Sequence, residues 1–341
     1  ASLSRLTMRI PKSLSYSSMS LWYRDQDEFY IRYLADHAAP RLPQEQPAAV
    51  GSAFDAYVKA QLNWHLYGRA MSPQFEFPAI FESQVEPHNR DFALKAGKHV
   101  FKAYKLCGAY HDLLRQLQQS VEPPRFEFKV DGLIEGVPYT GKPDCRFVLD
   151  LGQGDIPCIY DWKVRGYCSK YGASPSKGYA TCLDGFRSEK PSRSQGKEHA
   201  MYKAMDFRGL TINSGYMEFC NDEYADQLCL YGWLLGEKIG DENTVLGVEE
   251  LCAKFTGEGN PPTLRYARHR GRVKADYQQR LAERVKTCWQ AITSGHIFSS
   301  LSREDSDARC RVLEEMAAGL MSNGTALDDW FNDVTRPKFF H

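Results

Sequence analysis

Asp144, Asp161 and Lys163 are the residues of this chain best placed to do chemistry together. They lie in GKPDCRFVLDLGQGDIPCIYDWK (Gly141 to Lys163), where two β-prone runs flank a Gly-rich stretch and so predict a hairpin. A turn centred between Gly152 and Gln153 sets Asp144 directly opposite Asp161. Like charges so placed have Cβ atoms about 4.5–5.5 Å apart and repel, an arrangement that a fold kept only for stability should avoid. A divalent cation between them turns that repulsion into binding energy. Lys163 lies two residues beyond Asp161 and shares its face, while Trp162 points to the other. Paired acids holding a metal beside an ammonium group suit phosphodiester hydrolysis: the metal polarises the phosphate and generates the nucleophile, and the lysine stabilises developing charge.

The preceding segment extends the same row. Strands from Arg125 to Leu133 and from Val137 to about 149 flank Glu135-Gly136, and a two-residue turn there brings Glu127 opposite Asp144. Three acids on adjacent strands form an oxygen-rich site suited to Mg²⁺ or Mn²⁺. A one-residue slip would turn Glu127 to the other face.

These positions need a scaffold, and apolar periodicity supplies one. Helices are expected over Ser13–Leu34, Ala49–Tyr67 and Asn89–Gln119, with the Pro-rich AAPRLPQEQP as a break between the first two. A third catalytic strand runs from 156 to 165. A Gly/Ser/Lys-rich loop follows from Ser169 to Gly196, then a short helix over His199–Phe207 and a strand over Gly215–Cys220. A helix over Asp222–Lys238, strands over Thr244–Phe255 and Thr263–His269 around a turn at 257–262, and helices over Arg272–Ser294 and Asp305–Met321 complete the chain. Helices, then a meander of strands, then helices imply a mixed α/β fold, a central mixed sheet flanked by helices. The chain is expected to be one domain over 1–341: a helical part at about 13–120, a catalytic core at about 121–300 and a helical tail at 301–341.

At 341 residues and 43% hydrophobic, the chain can bury a full core. No apolar run approaches the ~20 residues of a membrane span, and ASLSRLTMRIPKSLSYSS lacks the apolar centre of a secretory signal. Ten cysteines lie far apart with no C-x-x-C pair, which argues against zinc, an iron–sulfur cluster or a disulfide framework and for a cytoplasmic-type compartment. Formal net charge is zero, yet Lys163 to Arg208 holds ten Lys/Arg against four acids. LRYARHRGRVK (Leu264 to Lys274) adds five Lys/Arg and no acid, with Tyr266 and His269 interleaved. Both stretches are expected to meet backbone phosphates.

Pro143-Asp144 followed by Asp161-Trp162-Lys163 resembles the signature of the PD-(D/E)XK nuclease superfamily. Three further pieces are similar, in the right order, to its RecB-type branch. SYSSMSLWYRDQDEFYIRYL (Ser15 to Leu34) looks like the opening helix, GSAFD (Gly51 to Asp55) like the G-x-x-x-H element, and QLCLY (Gln227 to Tyr231) like the Q-x-x-x-Y element. The resemblance covers Ser15 to Leu235, and SGHIFSSLSREDSDARC is similar to tails of phage-type exonucleases. Asp55 stands where the branch usually has histidine, and a carboxylate remains a hard oxygen donor. Gln26-Asp27 stands where iron–sulfur members have cysteine, and the terminal cysteine cluster is missing, so no iron–sulfur cluster is expected.

The resemblance implies a restriction-endonuclease-like core and a Mg²⁺- or Mn²⁺-dependent deoxyribonuclease, acting as an exonuclease on duplex DNA ends in recombination or phage replication. Asp144, Asp161, the carbonyl of Trp162, Asp55 and Glu127 would hold metal, Lys163 would act on the attacking water, and Gln227 and Tyr231 would brace the site. DNA is the expected partner, with room for a recombination protein or a homo-oligomer and none for a membrane. The expected place is the cytoplasm of a bacterial or phage-infected cell. A structure- or site-specific endonuclease of the same fold, or a non-catalytic DNA-binding subunit, is the alternative.

Overall fold

Both hairpins form in the expected register. In a computed structural model of the chain, β4 (Cys145–Asp150) and β5 (Asp155–Arg165) run antiparallel, with Cys145 paired to Tyr160 and Asp150 to Asp155. One step beyond Cys145, Asp144 falls opposite Asp161. The structure describes residues 9–35, 41–152, 154–170, 173, 175, 210–213, 217, 220–237, 239, 243–255, 257, 263–294 and 303–322. The expected loop at 169–196 and helix at 199–207 lie almost wholly outside these residues, as does most of the turn at 257–262. Only Met217 and Cys220 are described in the expected strand at 215–220.

The two long strands expected around Glu135-Gly136 are each broken. The first divides into β1 (Arg125–Phe126) and β2 (Val130–Ile134), the second into β3 (Val137–Gly141) and β4. Register survives the break, since Ile134 pairs with Val137 and Val130 with Gly141, then Phe126 with Cys145 and Arg125 with Arg146. Glu135 and Gly136, at φ +49° and +79°, make the tight left-handed turn that such a ribbon needs. On one side of the break Pro143 brings no N–H to the ladder; on the other Glu127 sits at φ +51°. The outer half becomes a separate two-stranded ribbon and the inner half joins the main sheet.

That sheet is mixed, with β6 (Leu210–Asn213), β7 (Val245–Lys254) and β8 (Thr263–Gly271) completing the order β1-β4-β5-β7-β8-β6. Pairing is parallel between β5 and β7 and between β6 and β8, and antiparallel elsewhere. Helices lie on both faces, so the fold class is mixed α/β, as expected.

The chain divides into two compact units, Ala1–Gln44 with Thr287–His341, and Glu45–Lys286. In the first, Ser15 caps α1 (Tyr16–Arg24) in a reciprocal box with Ser18. The single helix expected to reach Leu34 stops at Asp25, which turns extended and caps α2 (Gln26–Phe29), followed by a π-turn at Tyr30–Leu34. The C-terminal α9 (Arg303–Ser322) also belongs here.

In the second unit, α3 (Gln46–Tyr67), α5 (Arg90–Leu106) and α6 (Ala109–Gln118) cover one face of the sheet. Gly108, at φ +87°, splits the expected helix 89–119 into α5 and α6. A Cβ added at Gly97 would lie 2.5 Å from the Cβ of Ala53, so the glycine sets how closely α3 and α5 cross. Val58, Phe54, Tyr104 and Leu113 pack on Phe147, Tyr160 and Trp162. On the other face, α7 (Asp222–Leu235) lies over β5, where Gly232 faces Ile159. Two more helices are α4 (Phe77–Gln84), not foreseen in the sequence, and α8 (Ala275–Thr293), close to its expected span.

Within the basic stretch at 264–274, Arg265 and Lys274 are exposed and Arg270 and Arg272 half-buried, but Arg268 and His269 do not face solvent. β8 is an interior strand, and Arg268 and His269 are buried. Arg268 pairs with its cross-strand neighbour, the buried Glu249, which also accepts from the hydroxyls of Tyr104 (2.9 Å) and Tyr266. Arg268 also donates to the carbonyl of Ala109 (2.9 Å), and His269 lies 3.3 Å from Glu250. The charges of Arg268 and Glu249 are satisfied inside the sheet.

Among the described residues no helix is long and apolar enough to cross a membrane, and every cysteine is a free thiol.

Candidate active site

The break in the ladder is where the acids gather. Because β1 ends at Phe126 and β4 begins at Cys145, the side chains of Glu127 and Asp144 sit at the frayed ends of adjacent strands, with the Glu127 amide still donating to the Asp144 carbonyl (3.2 Å). Asp161 lies across from Asp144 on β5. The Trp162 amide donates to Asp144 Oδ2 (3.2 Å). Its indole lies on the opposite face, with Nε1 3.4 Å from the Tyr104 hydroxyl, as alternation requires. Asp55 enters from α3. One oxygen from each of Asp55, Glu127 and Asp144 lies within 4.8 Å of the others, a spacing compatible with a shared cation.

A residue not foreseen as functional sits at their centre. Lys59, one helical turn after Asp55, is fully buried, and its Nζ donates to Asp55 Oδ2 (2.6 Å), Glu127 Oε1 (2.5 Å) and Asp144 Oδ1 (2.9 Å). The sequence signal was a lysine among Phe54, Val58 and Leu62 on a helix that, Asn63 aside, otherwise buries apolar side chains. Gln84, from the unforeseen α4, donates to Asp55 and Glu127 at 3.2 Å each. From the rim, the half-exposed Lys142 pairs with Glu127.

Lys163 faces Asp161, as alternation along β5 predicts, and the two form an ion pair. Its ammonium also donates to Gln227 Oε1 (3.0 Å), whose amide donates to the Tyr231 hydroxyl (2.7 Å). Gln227 and Tyr231, one turn apart on α7, thus form a relay that orients Lys163. All of the expected site residues converge in the unit Glu45–Lys286.

Packing four carboxylates together shifts their protonation in opposite directions. Burial, then repulsion from Asp144, drives Asp161 well above the ordinary carboxylate range, despite Lys163. Burial pushes Asp55 up to about 7, with Lys59 opposing and Asp144 and Glu127 reinforcing. Burial acts the same way on Asp144, but Lys59, the hydrogen bond from Asp161 and Lys163 outweigh it and hold Asp144 well below its ordinary value. Both lysines resist the desolvation that would discharge them, because the carboxylates hold them as ammonium ions.

This has a consequence for stability. Asp55 binds its proton up to about pH 7 when folded, but only up to its ordinary 3.8 when unfolded. The folded state holds the extra proton in that window, so stability falls as pH rises through it. Asp144 acts oppositely, but its contribution is lost only below its ordinary value. The metal-free protein should melt at a lower temperature at pH 7.5 than at pH 5, and millimolar Mn²⁺ should narrow the gap. A melting temperature that rises between those pH values without metal would contradict the assignment.

The cluster passes a chemical test for a hard divalent cation. Its donors are carboxylate oxygens, and Lys59 shows that a cation is stabilised among them. In comparisons with known proteins, neither a protein-family model nor a curated protein matches this chain.

Proposed function

We propose that the protein is a metal-dependent deoxyribonuclease of the PD-(D/E)XK type, acting on duplex DNA ends. One observation carries the reading: Asp144, Asp161 and Lys163 meet with Glu127 and Asp55 in one pocket at the interruption of a β-ladder. Unrelated surface acids would spread apart rather than crowd together.

Asp144, Asp161 and the Trp162 carbonyl would hold Mg²⁺ or Mn²⁺, with Asp55 and Glu127 completing the acidic surround. Bound there, the metal would polarise the phosphodiester and lower the pKa of a water. The chain's own residues do the rest. Lys163 stays an ammonium ion, since Asp161 and Asp144 hold its proton against burial. In that form it serves to orient the attacking water and to offset charge on the phosphate. Gln227, held by Tyr231, fixes the lysine's direction. The Trp162 amide fixes Asp144.

Reduced cysteines and the lack of a membrane-crossing helix among the described residues support a cytoplasmic setting. A recombination protein is the partner such an enzyme would serve. The test is digestion of 5′- and 3′-labelled linear duplex DNA, with and without Mg²⁺, beside a covalently closed circle. Mg²⁺-dependent loss of the linear duplex from its ends, with the circle intact, is expected. A cut circle would make the protein an endonuclease, and both DNAs surviving any divalent metal would refute nuclease activity.

A further inference from the structure

We infer that Lys59 permanently takes the place of a second metal ion, so that the site works with one divalent cation, bound on the Asp144–Asp161 side. This rests on the nuclease reading and deepens it by setting metal stoichiometry. The first support is position. A fully buried ammonium lies within 2.9 Å of oxygens from Asp55, Glu127 and Asp144, the same three residues whose spacing could hold a metal. Removing it would leave three carboxylates facing one another in a largely desolvated pocket, and a buried charge that loses its partner is strongly destabilising. It sits one helical turn from Asp55, so α3 positions both groups together.

The second support is charge. Four carboxylates (Asp55, Glu127, Asp144, Asp161) face three ammonium groups (Lys59, Lys142, Lys163). One divalent cation and the single negative charge of a bound phosphodiester bring the total to zero. A second divalent cation would leave two uncompensated positive charges in low dielectric. Asp144 and Asp161 face each other across β4 and β5, and the ammonium of Lys59 is engaged with Asp55, Glu127 and Asp144, which leaves the Asp144–Asp161 side for the metal. The neighbouring Glu250 does not upset the count, because it is already paired with Arg165 (3.2 Å).

Mn²⁺ titration of the full chain, read by paramagnetic resonance of the free ion, tests this without measuring activity. One equivalent is expected for the native protein and two for Lys59→Met. The methionine keeps the bulk of the lysine stem and vacates the ammonium position. Because that variant could fail to fold, anomalous diffraction from Mn²⁺-soaked native crystals is the second measurement. One peak beside Asp144 and Asp161, with Lys59 still against Glu127, is the expected result. Two equivalents in the native protein, or a peak among Asp55, Glu127 and Asp144 with Lys59 displaced, would overturn the inference while leaving the nuclease reading intact. No Mn²⁺ bound at millimolar concentration would overturn both.

Discussion

Asp161→Asn should lower Mg²⁺-dependent hydrolysis of linear duplex DNA by about a thousandfold or more while leaving the fold unharmed. Asparagine keeps the shape of the aspartate side chain, and its amide can donate to Asp144. What it lacks is the negative charge that holds a metal. The loss corresponds to roughly 4 kcal/mol of transition-state stabilisation, the scale expected when a metal that polarises the phosphate is no longer held. Single-turnover digestion with saturating DNA measures the rate, and the metal-free melting temperature measures the fold. A variant that keeps a tenth of the native rate would show that the metal lies elsewhere. A collapsed fold would show that Asp161 is structural.

The largest stability effect should come from the far side of the sheet. Arg268→Met leaves Glu249 buried without its cation, held only by the hydroxyls of Tyr104 and Tyr266. Breaking a buried pair from one side typically costs about 3–5 kcal/mol. Denaturant unfolding should report a loss of that size, and Glu249→Gln added to Arg268→Met should recover most of it, because the orphaned charge is then gone. A single variant within about 1 kcal/mol of native would mean that Glu249 finds other compensation.

Glu249 stands beside Trp162 in the β5–β7 pairing, and Trp162 reaches Tyr104. The buried network therefore supports the strand that presents Asp161 and Lys163.

The hairpin register was legible because it depends on residues close in the chain. Glu135-Gly136 and the Gly-rich turn around Gly152 determine which positions face each other, and alternation then places Lys163 with Asp161. Asp144, Asp161 and even Glu127 followed from turn chemistry alone, although the ladder between Gly141 and Cys145 does not continue as expected. Resemblance drew attention to Asp55, Gln227 and Tyr231; nothing local to them foretold a common pocket.

Residue spacing was thus sufficient for the mixed α/β pattern and the paired acids of the hairpin, because turn geometry and side-chain alternation act over a few residues. Packing between distant segments alone decided that Lys59 and Gln84 would join those acids. It also decided that Arg268 would lie buried against Glu249 rather than await a phosphate. The reason is electrostatic as much as steric. A charged side chain is free to meet solvent or a ligand only if no opposite charge is folded against it, and that depends on which strands and helices become neighbours.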